Sequence, residues 1–137
     1  MPGVVRFGVS IEEGLIKKFD KYIEQKNYSN RSEAIRDLIR KNLIEEEWAK
    51  NGKVACGIVI VYDHHKRELV NKLMDIQHDY SEVIISTQHV HLDHDNCLEI
   101  VAAKGNVKKV EQLANKMSSL KGVKHCSAAK TTSGLEL

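Results

Sequence analysis

The sequence lacks the features of membrane-spanning and disulfide-rich proteins. Its 137 residues include one proline, one tryptophan and three cysteines, and no apolar run approaches the roughly 18 residues of a membrane helix. The cysteines, Cys56, Cys97 and Cys126, are irregularly spaced, so a disulfide framework is not expected. No basic segment followed by an apolar stretch opens the chain, and we therefore expect a cytoplasmic protein with reduced thiols.

The sequence also has little net charge. Its 21 basic and 19 acidic residues leave a formal charge of +2, so composition alone does not indicate a nucleic-acid binder. A hydrophobic content of 42% is ordinary for a globular protein. A chain of this length forms one domain or two very small ones, and very small cores are stable when subunits share them. We therefore expect an oligomer.

Residues 4–11 predict a half-buried strand because apolar and other side chains alternate strictly. No second strand follows in the first 50 residues, so a second copy of the chain is the expected partner. Two copies pairing antiparallel would display Arg6, Gly8 and Ser10 on a two-stranded ribbon, which fits the major groove of B-DNA. The same pattern is also compatible with a dimerisation module that binds no DNA.

Two helices are predicted after this strand. Ser10 and Glu13 match a capping box that would open a helix ending near residue 25. Asn30, or the serine before it, can cap a second helix over residues 31–49. The order of the first segment is therefore strand, helix, helix.

A different pattern begins after Asn51-Gly52, which we interpret as a hinge. Apolar runs and helical periodicity predict the order strand, helix, strand, strand, helix, strand. The strands are expected at 54–62, 83–92, 97–103 and 123–130 and the helices at 66–80 and 107–120, with Gly105 ending the third strand. This is the order of a ferredoxin-like βαββαβ sheet. The chain is thus predicted to be α+β, with domains over residues 1–50 and 53–137.

Four potential metal ligands lie in the C-terminal half. His89 and His91 are two apart on a predicted strand and so point to one face. A polar loop over residues 92–96 would pair Cys97 with His91 and place the thiol on the same face. We expect this face to lie away from the helices and to meet another subunit. His78, in the last turn of a helix, would then belong to a neighbouring subunit's site, although the helix dipole alone also favours a histidine there.

The alternative to a metal site is a hairpin with histidines and a buried structural cysteine, but three converging donors favour metal. Glu99 and Gln77 can orient a ligating imidazole, or they can make ordinary hydrogen bonds. His64, His65 and His94 are expected to be solvated rather than to form auxiliary sites. His125 and Cys126 face opposite ways on a strand, so they are not expected to be a ligand pair.

The two segments resemble known DNA-binding proteins. The strand Val5-Arg6-Phe7-Gly8-Val9-Ser10-Ile11, followed by Asn30-Arg31-Ser32-Glu33-Ala34-Ile35-Arg36, resembles the ribbon-helix-helix family. Gln77-His78, together with residues 89–99, resembles the nickel-responsive transcriptional repressors, in which that domain is joined to a ferredoxin-like, ACT-type domain. The resemblance covers nearly the whole chain, and it implies a repressor of nickel-uptake genes that is not an enzyme.

The resemblance also implies partners and ligands. It implies a homotetramer, a dimer of dimers, with one square-planar Ni(II) per subunit held by His89, His91, Cys97 and, from across the tetramer interface, His78. It implies that Arg6, Gly8 and Ser10 read double-stranded operator DNA, although Gly8 departs from the polar residue usual at its position. Mixed imidazole and thiolate donors suit late first-row metals, and copper should bind at least as tightly as nickel.

Two carboxylates on the second helix have a further implied role. By resemblance, Glu33 and Asp37 hold a monovalent cation such as K+ at an interdomain site, or a loop of the metal domain. Their alternatives are local, because Glu33 completes a capping motif with Asn30, and Asp37 can pair with Lys41. Three other functions remain open at this point: a metalloenzyme, an antitoxin-like or amino-acid-sensing DNA-binding module, and a metal storage protein.

Overall fold

A computed structural model describes residues 3–135 and 137, and the contacts within it divide the chain into two compact units. The first unit ends at Lys41 and the second begins at Asn42. This boundary falls inside a continuous helix, α2 (Arg31–Ala49).

The first unit contains helix α1 (Glu13–Gln25) and the start of α2. The predicted capping box is wrong, because α1 begins later than it requires. Its N-cap is Glu12, which makes no side-chain capping bond, so Glu13 occupies the first helical position and not the third. The cap of α2 is confirmed, since the Asn30 side-chain oxygen accepts a hydrogen bond of 2.9 Å from the Glu33 backbone N–H.

Residues 4–11 form no strand in this single chain. The apolar side chains of the segment and of the helices that follow are exposed: Val5, Phe7, Val9, Ile11, Leu15, Leu38 and Ile39. A strand exists only through hydrogen bonds to a neighbouring strand, and the described residues of this chain supply none for the segment. The ribbon made by two copies therefore stays a prediction.

The second unit contains a four-stranded antiparallel sheet and two helices in the order β1, α3, β2, β3, α4, β4. The sheet order is β2-β3-β1-β4, which confirms the predicted ferredoxin-like arrangement. The elements are β1 (Lys53–Asp63), α3 (Arg67–Asp79), β2 (Ile84–His91), β3 (Asn96–Asn106), α4 (Val107–Ser118) and β4 (Val123–Thr131). In the described residues, no helix is long and apolar enough to cross a membrane.

The potential ligands of the hairpin, His89, His91 and Cys97, lie on the face of the sheet that the helices cover. Alternate residues of β1 are buried, and the β1–β3 register sets Cys97 opposite Tyr62 and Glu99 opposite Ile60. Cys97 belongs to the same buried cluster as Leu73 of α3 and Leu113 of α4. The expectation that this face lies away from the helices is therefore wrong. The hairpin alone did not reveal which of its faces is buried, because pairing with β1 decides it.

Gly105 does not end the third strand, as we expected, but lies within it and pairs with Val54 of β1. The glycine makes room for a neighbouring side chain. A Cβ atom at position 105 would lie 2.7 Å from Cγ1 of Val83, which is closer than real side chains approach.

Replacing Gly105 with alanine should lower the free energy of unfolding by about 1–3 kcal/mol, because the stiff Val83 side chain must shift in a packed core. Urea denaturation of the variant measures this change. Gly57→Ala is the matched control, since a Cβ on Gly57 of β1 would meet nothing within 4 Å. Equal unfolding midpoints for the two variants would contradict the close contact.

Candidate metal centre

The hairpin of β2 and β3 has the predicted register. His91 pairs with Cys97 and His89 pairs with Glu99, which places these four side chains on one face. The loop between the strands is held by Asp93, whose carboxylate accepts from the backbone N–H groups of Asp95 and Asn96 at 2.9 and 2.8 Å. Hydrogen bonds from the Asn96 side chain, together with these two backbone bonds, lower the pKa of Asp93 to about 2. The loop geometry thus sets His91 beside Cys97.

Cys97 lies at the centre of the candidate metal site. Its Sγ is 3.4 Å from Nδ1 of His91 and 3.3 Å from Nδ1 of His64, and the residue is fully buried. Burial raises the pKa of the thiol, and the charges of Glu99, Asp63 and Asp93 raise it further. Neutral thiol is therefore favoured without a metal, and coordination must displace its proton.

Sequence reasoning assigned His64 to the solvated surface, but the structure brings its ring to Cys97. His64 directly follows β1, and its backbone N–H donates to the Asp95 carbonyl at 3.2 Å. The centroids of the His64 and His91 rings are 5.5 Å apart. His64 lies near Cys97 because Asp63 pairs with Asn96, which puts the end of β1 beside Cys97. That pairing joins strands distant in sequence and is not visible from local spacing.

His89 lies next to His91, with ring centroids 5.2 Å apart, and its Nδ1 is 3.7 Å from the carboxylate of Glu99. Glu99 is buried and accepts hydrogen bonds from the Tyr62 hydroxyl at 3.2 Å and from the Gln77 side-chain amide. Burial and this carboxylate together raise the pKa of Tyr62. Glu99 and Gln77 are thus placed where they can orient the His89 ring.

Gln77 also fixes the side of the sheet on which helix α3 ends. Because its amide reaches Glu99, the C-terminal turn of α3 lies over the ligand-bearing face. The expectation that His78 lies on the opposite side of the sheet from that face is therefore wrong. His78 itself is exposed in this last turn.

Among the described residues, two groups of three side chains have ligand atoms within 4.8 Å of one another. The first is His64, His91 and Cys97, and the second is His65, His94 and Asp95. His78 and His89 belong to neither group. The second group is exposed and joins His94 and Asp95 of the hairpin loop to His65 of the turn after β1, with His65 Nε2 and His94 Nδ1 at 3.5 and 3.1 Å from an Asp95 oxygen.

The donor chemistry of the first group fits a late first-row transition metal. Two imidazole nitrogens and one sulfur converge, and soft thiolate with imidazole suits Ni, Cu or Zn more than Mg or Ca. Four protein donors would complete a square-planar or tetrahedral sphere. His89 is the nearest further imidazole on the same strand.

In the first unit, the proposed DNA-reading residues Arg6, Gly8 and Ser10 are exposed. The carboxylates suggested for a cation have partners within the helix. Glu33 pairs with Arg36 at 3.0 Å, and Asp37 pairs with Lys41 at 3.1 Å.

Asp37 also accepts a hydrogen bond from the Tyr28 hydroxyl, which lowers the pKa of the carboxyl and raises the pKa of the phenol. The local alternative, in which Asp37 pairs with Lys41, is the arrangement in the structure. A cation held by Glu33 and Asp37 stays a prediction, and its binding would compete with these pairs.

Two family models match the chain in the order of its two segments. Residues 5–46 match a family described as "Ribbon-helix-helix protein, copG family", and residues 55–131 match one described as "NikR C terminal nickel binding domain". The second match covers more than half of the chain. Fold and site together define a class of protein, the DNA-binding regulator with an attached metal-binding domain.

Similar proteins share nearly the whole length. A protein of Syntrophus aciditrophicus is 57% identical over 93% of both chains. A protein of Pyrococcus furiosus is 48% identical over 98% of this chain and 99% of its own. Both carry the name "Putative nickel-responsive regulator". This chain belongs to the nickel-responsive regulator family.

A solved structure shares the fold alone. The structure of an uncharacterized protein from Thermotoga maritima superposes with a TM-score of 0.52 at 15% identity, covering 57% of this chain and 96% of that one. The names of the curated relatives describe regulators and not enzymes, which bears out the expectation of a non-enzymatic protein.

Proposed function

We propose that this protein is a cytoplasmic repressor that binds operator DNA of nickel-uptake genes when Ni(II) is bound. The observation that carries the proposal is the convergence of His91 and His64 on the buried thiol of Cys97, in a chain whose N-terminal segment matches a DNA-binding family. The sulfur and one nitrogen of each ring lie within 4.8 Å of one another, and a metal bound there would displace the proton that burial favours on the thiol.

We propose a ligand set of His89, His91 and Cys97 from one subunit and His78 from a neighbouring subunit, with one Ni(II) per subunit. His89, His91 and Cys97 share one face of a hairpin, and His78 is exposed and so accessible to another chain. Bound Ni(II) would supply directed coordination bonds joining these donors. His64 is the competing ligand within one chain, since it already lies 3.3 Å from the sulfur.

The proposed assembly is a homotetramer, a dimer of dimers. The exposed apolar side chains of residues 5–11 supply the reason for the dimer, because an unpaired apolar strand aggregates unless a second chain covers it. In that dimer Arg6, Gly8 and Ser10 would face the major groove in duplicate. A shared metal site at a second contact would join two dimers, and the K+ site at Glu33 and Asp37 would depend on opening their present ion pairs.

For this to be allosteric control, His78 and the hairpin ligands must be closer together in the DNA-competent state than in the alternative. The coupling in such systems is typically about 1–3 kcal/mol, and DNA should in turn tighten metal binding by the same factor. A zinc ion prefers a tetrahedron, so it should occupy these donors without the same effect on DNA affinity.

Substitution of His78 and of His64 by alanine should separate the two possible ligand sets. We expect His78→Ala to lose the nickel-dependent gain in DNA affinity, about 5- to 150-fold, and His64→Ala to keep most of it. Gel shifts on promoter DNA of a nickel-uptake gene, with and without Ni(II), measure the gain. Circular dichroism checks that both variants fold.

The opposite pattern, with His64 required and His78 dispensable, would assign the metal to a site within one chain. Equal DNA affinity with and without nickel for the wild-type protein would instead rule out the repressor and leave metal storage as the better function.

A further inference from the structure

Three exposed side chains at one corner of the second unit form a group that the proposed function does not use. We name this group the surface triad, and it consists of His65, His94 and Asp95. One potential ligand atom of each residue lies within 4.8 Å of those of the other two. His65 belongs to the turn after β1, whereas His94 and Asp95 belong to the loop between β2 and β3. The triad therefore joins two turns that are distant in sequence.

Both histidine rings of the triad converge on Asp95. The same carboxylate oxygen lies 3.5 Å from Nε2 of His65 and 3.1 Å from Nδ1 of His94. Nε2 of His65 is also 3.2 Å from the backbone carbonyl oxygen of His94. Two donors that each lie about 2.1 Å from one metal ion, at the angles of a tetrahedron or an octahedron, are about 3.0–3.4 Å apart. The distances to Asp95 are therefore close to those within a coordination sphere.

Hydrogen bonds hold the backbone of both turns in place. The Asp63 carboxylate accepts from the His65 backbone N–H at 2.9 Å, and the Asp93 carboxylate accepts from the Asp95 backbone N–H at 2.9 Å. The His64 backbone N–H donates to the Asp95 carbonyl at 3.2 Å, which ties one turn to the other. A metal ion would thus meet side chains whose backbone is already ordered, and this lowers the entropy cost of binding.

The charges around the triad favour a cation. Asp63 and Asp93, which hold the two turns, add two carboxylates to that of Asp95. An ammonium, that of Lys124 on β4, also lies nearby and donates to the side-chain oxygen of Asn96. Three carboxylates against this ammonium leave an excess of negative charge, which raises the local concentration of cations.

We propose that the surface triad binds a divalent transition-metal ion such as Zn(II), Ni(II) or Cu(II), separately from the site at Cys97. Imidazole with carboxylate suits these ions, whereas Mg(II) and Ca(II) take oxygen ligands. Three protein donors leave at least one position for water. The triad is exposed and has no thiolate, so it binds these ions more weakly than a site that includes Cys97. The proposal does not depend on the proposed repressor function.

A bound ion would also restrain the loop over residues 92–96. The ion would add coordination bonds between that loop and the turn after β1, and these bonds are stronger than the present contacts of the two imidazoles with Asp95. The amides of residues 93–96 should then exchange with solvent more slowly when Zn(II) is present.

Isothermal titration calorimetry with Zn(II) tests the triad in the intact protein. We expect a stronger and a weaker binding event in the wild type. His65→Ala and His94→Ala should each lower the affinity of the weaker event by at least about tenfold, because even an outer partner of a ligand contributes about 10- to 100-fold. His125→Ala is the matched control and should keep both events, since His125 is exposed on β4 and belongs to no described metal-capable group.

Cys97→Ser separates the two sites. The variant should lose the stronger event and keep the weaker one, and the amide signals of residues 64–66 and 93–96 should shift in its NMR spectrum when Zn(II) is added. A weaker event that survives both His65→Ala and His94→Ala would overturn the proposal, because the triad would then be a set of ion pairs only. So would the absence of any Zn(II)-dependent shift at these residues in Cys97→Ser.

The same variants decide the matter if the wild type shows a single binding event. Binding that disappears in Cys97→Ser and persists in His94→Ala belongs to the buried site and would overturn the triad. Binding that persists in Cys97→Ser and disappears in His94→Ala supports the triad and counts against the metal site of the proposed function.

Discussion

Substitution of Cys97 by serine should lower nickel affinity by more than about a hundredfold, because even an outer partner of a ligand costs about 10- to 100-fold and Cys97 is the only sulfur among the proposed ligands. Serine has nearly the same shape, and its hydroxyl is a poor donor for a late transition metal. The Ni–thiolate absorption band should disappear, and isothermal titration calorimetry should measure the loss of affinity. The gain in DNA affinity with nickel should disappear with it.

Cys126→Ser is the matched control for this experiment. Cys126 lies on β4, opposite Ile60, and no described metal-capable group includes it. Its substitution should leave both the absorption band and nickel-dependent DNA binding intact. If Cys97→Ser bound nickel with wild-type affinity, the proposed metal site would be wrong, because His64 and His91 both approach that sulfur.

Substitution of Phe7 by aspartate should abolish operator binding. Phe7 is 71% exposed in the single chain, and a ribbon formed by two copies would bury the Phe7 side chain of each copy. Burying one such side chain contributes about 1.5–3 kcal/mol, and a buried unpaired carboxylate costs more than that gain. The dimer should therefore dissociate, which sedimentation or size-exclusion chromatography would detect as a smaller species, and gel shifts should show no specific complex.

Arg6→Ala separates assembly from DNA recognition. Arg6 alternates with Phe7 and so lies on the opposite face of the predicted ribbon. The substitution should leave the oligomer unchanged and weaken operator binding by about 1–3 kcal/mol for each base to which the guanidinium donates hydrogen bonds. Dissociation of Arg6→Ala, or an oligomer of unchanged size in Phe7→Asp, would reverse the assignment of the two faces.

Local patterns predicted most of the fold. The order of strands and helices in the second unit follows from periodicity, and the element bounds differ from expectation by only a few residues, as at β1 (Lys53–Asp63) and α4 (Val107–Ser118). The pairing of His91 with Cys97 also followed from the loop length between them. These predictions succeeded because they depend on residues close in sequence.

The errors concern contacts between residues distant in sequence. The buried face of the hairpin depends on the pairing of β3 with β1, and the position of His64 depends on where β1 ends beside that hairpin. Gly105 is needed within β3 because Val83, from the turn before β2, occupies the space of its missing side chain. None of these long-range contacts produces a periodic pattern of residues in the sequence.

The sequence by itself determined the class of each segment, the register of the hairpin and the presence of imidazole and thiol side chains that suit a transition metal, because apolar periodicity, loop length and side-chain chemistry are local properties. Only the tertiary structure decided that Cys97 and Glu99 are buried under the helices, that His64 approaches the sulfur, and that His65 meets the hairpin loop at Asp95. Each of these depends on strand pairing or packing across the chain, and burial is what gives the thiol of Cys97 its raised pKa.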